Sequence, residues 1–329
     1  GASDNLRELI PALLLGGCSD KYLGDKERVE QISEFSYEEY TKILVKWETI
    51  EDAPVFSTLG THQIVSIQEL WGVLFDQLTQ FDINALEKCV KAVFSALDPA
   101  PDLQAFRYSK SRHYSATLQY GIVINLIILA ECDSEVNSLG IPSTRVFVDS
   151  LVADVLGEVK SGQQLRAIAP WLPLLAEASP KAVLEKIEKE VGDNGSNLWD
   201  LFAPSEGFLT RDDYVDILRA LEVLVWYEPF AVRSILVLAR ICEKKFEYKI
   251  ANSPQSTLFK IFCPWYPQSC LSKEERIRLL KQICHSSPYT SQLLLRSLSP
   301  IAYSICGQIQ CPMWSTVEIE LPSKAPEAD

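Results

Sequence analysis

Methionine occurs once in this chain, at Met313, and histidine three times, at His62, His113 and His285. Three scattered imidazoles leave little from which to build a histidine-rich metal centre. Also absent are the Gly-x-x-x-x-Gly-Lys-Ser/Thr phosphate loop, a Gly-x-Gly-x-x-Gly turn after a strand, a Gly-x-Ser-x-Gly elbow and any Cys-x-x-Cys pair. Each of these motifs fixes backbone amides or a nucleophile where nucleotide, acyl or metal chemistry needs them. Neither familiar nucleotide cradle nor a hydrolase elbow is therefore encoded. Long apolar runs are missing too. The longest, Leu118–Ala130, covers 13 residues and includes Gln119 and Asn125. It is too short and too polar to cross a bilayer, and is predicted to be a buried core helix. With a lone methionine near the end and Gly1-Ala2-Ser3 at the start, in the pattern left by cleavage of a purification tag, the sequence is expected to be an internal piece of a larger protein.

The net charge is −13. Nonspecific affinity for nucleic acid comes mainly from lysine and arginine displacing counterions, so a chain this acidic is disfavoured as a general phosphate-backbone binder. The acid is unevenly spread. The first 100 residues hold 17 Asp and Glu against 8 Lys and Arg, whereas Arg240–Arg296 holds ten basic residues against four acidic ones. Two complementary parts of a solvated surface explain this, or a phosphate or acidic-partner site in the basic half.

Nine cysteines, an odd number without regular spacing, mostly fall within apolar helical stretches. That pattern fits reduced buried thiols in a cytoplasmic protein. Cys263, Cys270, Cys284 and His285 form the one grouping with zinc-ligand residue types, but their gaps are irregular. Cys284 and His285 are neighbours on a predicted helix and would point in different directions, against a thiolate–imidazole pair. Glu177 and Glu222 lie among apolar neighbours and are expected to be partly buried, tied to a helix amide or to an arginine such as Arg166 or Arg219.

Helix signals dominate. Ser36…Glu39, Ser66…Glu69, Thr210…Asp213 and Ser272…Glu275 have capping-box spacing, and Ser179-Pro180 adds a start with proline in the first turn. Apolar residues between them recur at three and four. Pro170-Trp171-Leu172-Pro173 and Pro264-Trp265-Tyr266-Pro267 echo one another, which suggests stacked helix pairs whose proline pairs end helices and whose indoles fill the wedges between them. Pro54–Leu59 and His62–Val65 flank Gly60-Thr61 and predict a β-hairpin. With its flanking helices the run Ser36–Leu78 has a winged-helix outline, but its last helix, Ile67–Leu78, carries no lysine or arginine to read DNA. Val317–Leu321 alternates apolar and acidic residues like a terminal strand. The predicted architecture is all-α: a winged-helix-like region over 4–100, an α-solenoid-like array of helix pairs over 101–314, and a strand or linker over 315–329.

Four segments carry a resemblance to a known family: Trp171–Pro180, Leu221–Trp226, Asn252-Ser253-Pro254 and Ile261–Gln268. Over most of Leu6–Trp314 the chain resembles the helical region of very large bacterial P-loop ATPases, the signal-transduction ATPases with numerous domains, some of which act in anti-phage defence. The resemblance implies an effector and an ATPase outside this sequence, preceding a winged-helix-like segment and a helical array that senses a ligand or holds the resting state. It carries over no catalytic residue.

The expected function is a non-catalytic scaffold, ligand-sensing or autoinhibitory, within such an ATPase. Its partners would be a protein or other domains of the parent chain, with no cofactor, metal or membrane. The basic helices bearing Lys244, Lys245, Arg276 and Arg278 are the candidate partner site. The competing classes are an enzyme with a cryptic site built on Cys284, His285 or Glu177, and a nucleic-acid-binding module using the basic C-terminal half.

Overall fold

A computed structural model describes residues 3–96, 112–132, 139–202, 213–244, 253–264, 266–297, 307–317 and 319. The protein is predominantly α-helical with one small antiparallel sheet. It divides into two compact units, residues 1–159 and 160–329.

In the first unit a 3-10 turn over Ser3–Leu9 leads into α1 (Ile10–Leu15), which stops where Gly16 adopts φ 68° and returns its N–H to the carbonyls of Ala12 and Leu13. Only glycine enters that left-handed region without penalty. Strand β1 (Gly17–Ser19) follows, then α2 (Leu23–Ser33) and α3 (Tyr37–Glu48). Ser36 and Glu39 cap α3 reciprocally, as their spacing predicts. The hairpin comprises β2 (Val55–Thr58) and β3 (Thr61–Ile64). Leu59 and Gly60 connect them with φ of 51° and 76°, the two positive values of a type I′ turn.

Strand β1 pairs antiparallel with β3, giving the order β1-β3-β2. Helix, strand, helix, helix and hairpin in this sheet order are the connectivity of a winged helix. These elements span Ile10–Ile64, and the helix directly before the hairpin is α3, whereas the outline read from the sequence ran over Ser36–Leu78. The unseen piece was β1, whose three residues show no alternation.

Four more helices complete this unit: α4 (Ile67–Leu74), α5 (Gln80–Ser95), α6 (Ala116–Glu131) and α7 (Thr144–Gly157). Helix α6 is buried on every side from Gly121 through Ala130, and no described helix is long and apolar enough to cross a membrane. Gln119 and Asn125 have structural uses. Asn125, fully buried, donates to the carbonyls of Leu13 and Leu14 at 2.6 and 3.0 Å and accepts from Trp71 Nε1 at 2.6 Å, joining α1, α4 and α6. Gln119 accepts from Arg112. At Gly121 the backbones of α6 and the end of α1 nearly touch: a Cβ there would lie 2.4 Å from the Leu15 carbonyl oxygen. Gly121→Ala is expected to destabilise this unit by about 3 kcal/mol, the upper range for overpacking, because backbone rather than a movable side chain blocks it. Urea unfolding of the variant measures this, and a loss below about 0.5 kcal/mol would contradict the close approach.

The second unit contains α8 (Gly162–Ile168), α9 (Leu172–Ala178), α10 (Pro180–Gly192), α11 (Leu198–Leu201), α12 (Tyr214–Leu224), α13 (Glu228–Glu243), α14 (Pro254–Phe262), α15 (Lys273–Ser286) and α16 (Pro288–Ser297). Helix α12 lies at its centre, packed by α9, α13 and α14. The predicted starts at Ser179-Pro180 and Ser272 are present, whereas Thr210 lies outside the described residues.

The two proline-tryptophan segments play different parts. Pro170 and Pro173 occupy first-turn positions of a 3-10 turn and of α9, where no amide is needed, so they begin helices rather than end them. Pro264 and Pro267 lie beyond the end of α14, in an irregular stretch before α15. Trp265 lies outside the described residues. The segments are alike in sequence and unlike in position, so their echo supports no repeat. The predicted terminal strand, Val317–Leu321, falls largely outside the described residues.

Candidate interaction site

In the first unit the outer face of α3 presents Glu38, Glu39, Lys42, Val45 and Lys46 to solvent. Lys46 is paired with Glu8 at 3.1 Å. The loop to the hairpin adds Glu51 and Asp52, and residues 49–66 contain no lysine or arginine. A duplex approaching this surface would meet net negative charge, which counterion release cannot offset. Apolar groups are exposed instead: Val45, Ile50, Phe56 and Leu59 at 48, 44, 42 and 85 %. Leu59 forms the wing tip, where its left-handed backbone turns the side chain away from any core.

One polar cluster on the wing has the residue types of a catalytic triad. Ser57 donates to Glu48 and lies 2.5 Å from His62 Nδ1. The order is wrong for hydrolysis. The hydroxyl lies between the carboxylate and the imidazole, whereas a hydrolytic triad places the imidazole between hydroxyl and carboxylate. Burial also lowers the His62 pKa.

In the second unit the described members of the expected basic site lie on α15 and at the end of α13. Lys244, at the end of α13, donates to Asn194 Oδ1 at 2.6 Å and lies 4.6 Å from the centre of the Trp199 ring. Arg276, half-buried on α15, turns back to the Leu271 carbonyl at 2.5 Å, and burial lowers its pKa. Arg278 is exposed two residues on, a spacing at which helical side chains do not face each other. Lys245 lies outside the described residues.

Glu177 and Glu222 are buried, 2 and 8 % exposed, but neither forms an ion pair with the expected arginines. Arg166 pairs with Asp213 at 3.2 Å, and Arg219 lies 3.6 Å from Asp216. Both glutamates instead hold the irregular segment 307–317. Glu177 Oε2 accepts the backbone N–H groups of Met313, Trp314 and Ser315 at 3.0, 2.8 and 3.2 Å. Glu222 accepts the Thr257 hydroxyl at 2.8 Å and the Gln310 N–H at 2.9 Å. Gln268, also buried, accepts from the Ile309 N–H and donates to the Gly307 carbonyl, each at 2.8 Å. Trp226 and Tyr227 add bonds to the Gln310 carbonyl and the Ser315 hydroxyl. Side chains thus supply the hydrogen bonds that a neighbouring strand would otherwise provide. Sequence reasoning found the two carboxylates but missed Gln268 and the strap itself, because the partners lie 39 to 138 positions apart.

The thiols of Cys18, Cys89 and Cys242 lie in the cores of the two units. Burial pushes Cys18 and Cys89 up to about 12 and raises Cys242 further. His285 is exposed, with Nδ1 2.7 Å from the Lys281 carbonyl oxygen on its own helix. Among the described residues no three His, Cys, Asp or Glu side chains converge as metal ligands. Compared with family models, curated proteins and solved structures, the chain matches none.

Proposed function

We propose that this chain is a non-catalytic interaction module of a larger cytoplasmic, multidomain bacterial ATPase of the kind that acts in anti-phage defence. The winged-helix unit serves as a protein-docking or hinge element. The second helical unit is the ligand-sensing or autoinhibitory part. One observation carries most of this assignment: the α3 and wing surface has the connectivity of a DNA reader but combines acidic residues with exposed Val45, Phe56 and Leu59. Apolar anchors rimmed by charge suit a protein surface, and acid in the reading position suits neither DNA nor RNA.

The test uses the parent protein carrying both Phe56→Asp and Leu59→Asp. Both side chains are exposed, so the variant is expected to fold as wild type by circular dichroism. If the wing docks onto another domain or protein, basal output or partner recovery should change at least about tenfold, the loss of an apolar anchor of roughly 1.4 kcal/mol or more. Unchanged output together with unchanged partner recovery would remove the assignment. A second variant reversing Lys244, Lys245, Arg276 and Arg278 asks the same of the basic helices. Binding to duplex DNA that weakens steeply with salt would favour the nucleic-acid alternative.

A further inference from the structure

Helix α12 places Arg219 and Glu222 three residues apart on one face, and α14 does the same with Thr257 and Lys260. Residues 308–310 of the strap run across both helices. Together these elements wall a cleft of about 220 Å³ with a predominantly polar lining.

Its charges are unequally satisfied. Glu222 accepts one hydrogen bond at each oxygen, from the Thr257 hydroxyl and from the Gln310 N–H, and so holds the wall of the cleft. Lys260 is half-buried and its ammonium has no hydrogen-bond or ion-pair partner among the described residues. Among the described residues Arg219 has one ion-pair contact, Asp216 at 3.6 Å, which leaves most of its five donors open. The Gln308 side chain lines the same cleft. An ammonium with no counter-ion, beside a guanidinium with open donors, can take a bound anion as partner.

Size and lining narrow the class. Pockets for drug-sized molecules run to roughly 300–1,000 Å³ and are mostly apolar, which this one is not. A guanidinium fork and an ammonium on adjacent helices match the tetrahedral oxygens and double charge of a phosphoryl group. We propose that the cleft between α12, α14 and the strap binds a small phosphoryl-bearing anion through Arg219 and Lys260. Since Gln308 and Gln310 belong to the strap, an occupant bridges it to both helices and holds it down. The site gives the ligand-sensing assignment a ligand class and rests on it for a physiological role, whereas binding itself is measurable on the chain alone.

The experiment is calorimetric titration of the 329-residue chain with inorganic pyrophosphate, alongside inorganic phosphate and citrate. Saturable one-to-one binding of pyrophosphate is expected, with hydrogen exchange of 308–311 slowed in the complex. Lys260→Met and Arg219→Gln should each weaken it about tenfold, as removal of one charge-assisted hydrogen bond does, without altering thermal unfolding. Lys181→Gln, on the exposed side of α10, should leave it unchanged. The site is refuted by absence of binding up to about 5 mM, weaker than the millimolar class, or by binding indifferent to both substitutions. Citrate bound more tightly than pyrophosphate through the same two residues would refute the phosphoryl class. If binding behaves as expected but the parent's output ignores both variants, the sensing role fails and the site stands.

Discussion

Glu177→Ala is expected to cost the second unit about 4 kcal/mol and to free the strap. One carboxylate oxygen in a 2 % exposed side chain receives three consecutive backbone N–H groups, a small concave nest around a fixed anion. Hydrogen bonds to a charged acceptor contribute about 1.5–3 kcal/mol each when measured singly, but three sharing one oxygen do not add. The substitution also leaves a cavity where the side chain was. Part of the loss is recoverable, since Met313 is already exposed and the released amides can reach water. Glu177→Gln keeps the volume and one acceptor, and should cost less than the alanine variant. Urea unfolding gives the two losses, and hydrogen exchange at 313–315 reports the strap directly. If the alanine variant unfolds within about 1 kcal/mol of wild type, the strap is not held by this carboxylate.

Local signals were legible in the sequence and distant ones were not. The reciprocal cap of Ser36 with Glu39, that of Ser272 with Glu275, and the hairpin turning at Gly60 each depend on residues within a few positions of one another. Helix α6 announced its burial by an apolar run interrupted only at Gln119, Tyr120 and Asn125. Strand β1 could not announce itself: Gly17-Cys18-Ser19 becomes a strand only because β3 lies beside it. Without it the outline read from the sequence began at α3 and ran past the hairpin into α4, rather than starting with the helices before α3. The prolines before α9 were misjudged for a related reason. A proline terminates one helix or starts the next according to which side the chain continues from, and Trp171-Leu172-Pro173 continues forward. For the candidate sites, residue type was readable but partnership was not. Glu177 and Glu222 stood out as carboxylates in apolar surroundings, while their partners, drawn from the last described stretch of chain, carry no local mark.

The buried polar groups share a physical logic. Asn125, Gln268, Glu177 and Glu222 each bind backbone that lies outside regular hydrogen bonding or at a helix end, so each fixes where a distant segment must lie. Apolar packing alone tolerates sliding, whereas an unpaired buried amide or carbonyl does not. In the second unit this gives the strap a defined position beside the cleft, where a bound ligand could hold or release it. The first unit has the corresponding device at Asp25.

Asp25→Asn should destabilise the first unit by about 3–4 kcal/mol, the range for breaking a buried charged network. Asp25 is fully buried at the start of α2. It accepts the Ser19 N–H and the Ser115 N–H, both at 2.8 Å, and the Ser115 hydroxyl at 2.5 Å, tying the end of β1 to the start of α6. An amide would turn two of its protons toward donors. The pH dependence has a definite sign. Burial raises the carboxyl pKa above its ordinary 3.8, with the Ser115 and Ser19 hydrogen bonds and the Arg112 guanidinium opposing and only partly offsetting that effect. A raised pKa means that the folded state holds the proton more tightly than the unfolded chain. Between the unfolded and folded values the native form binds more protons, and this group's contribution to stability falls as pH rises through that window. The stability gap between wild type and Asp25→Asn, which cannot titrate, should therefore be widest near pH 4 and narrow toward neutrality. Urea titrations of both proteins across that range decide it. A gap that instead widens with pH would show that the three donors outweigh burial and hold the carboxylate ionised.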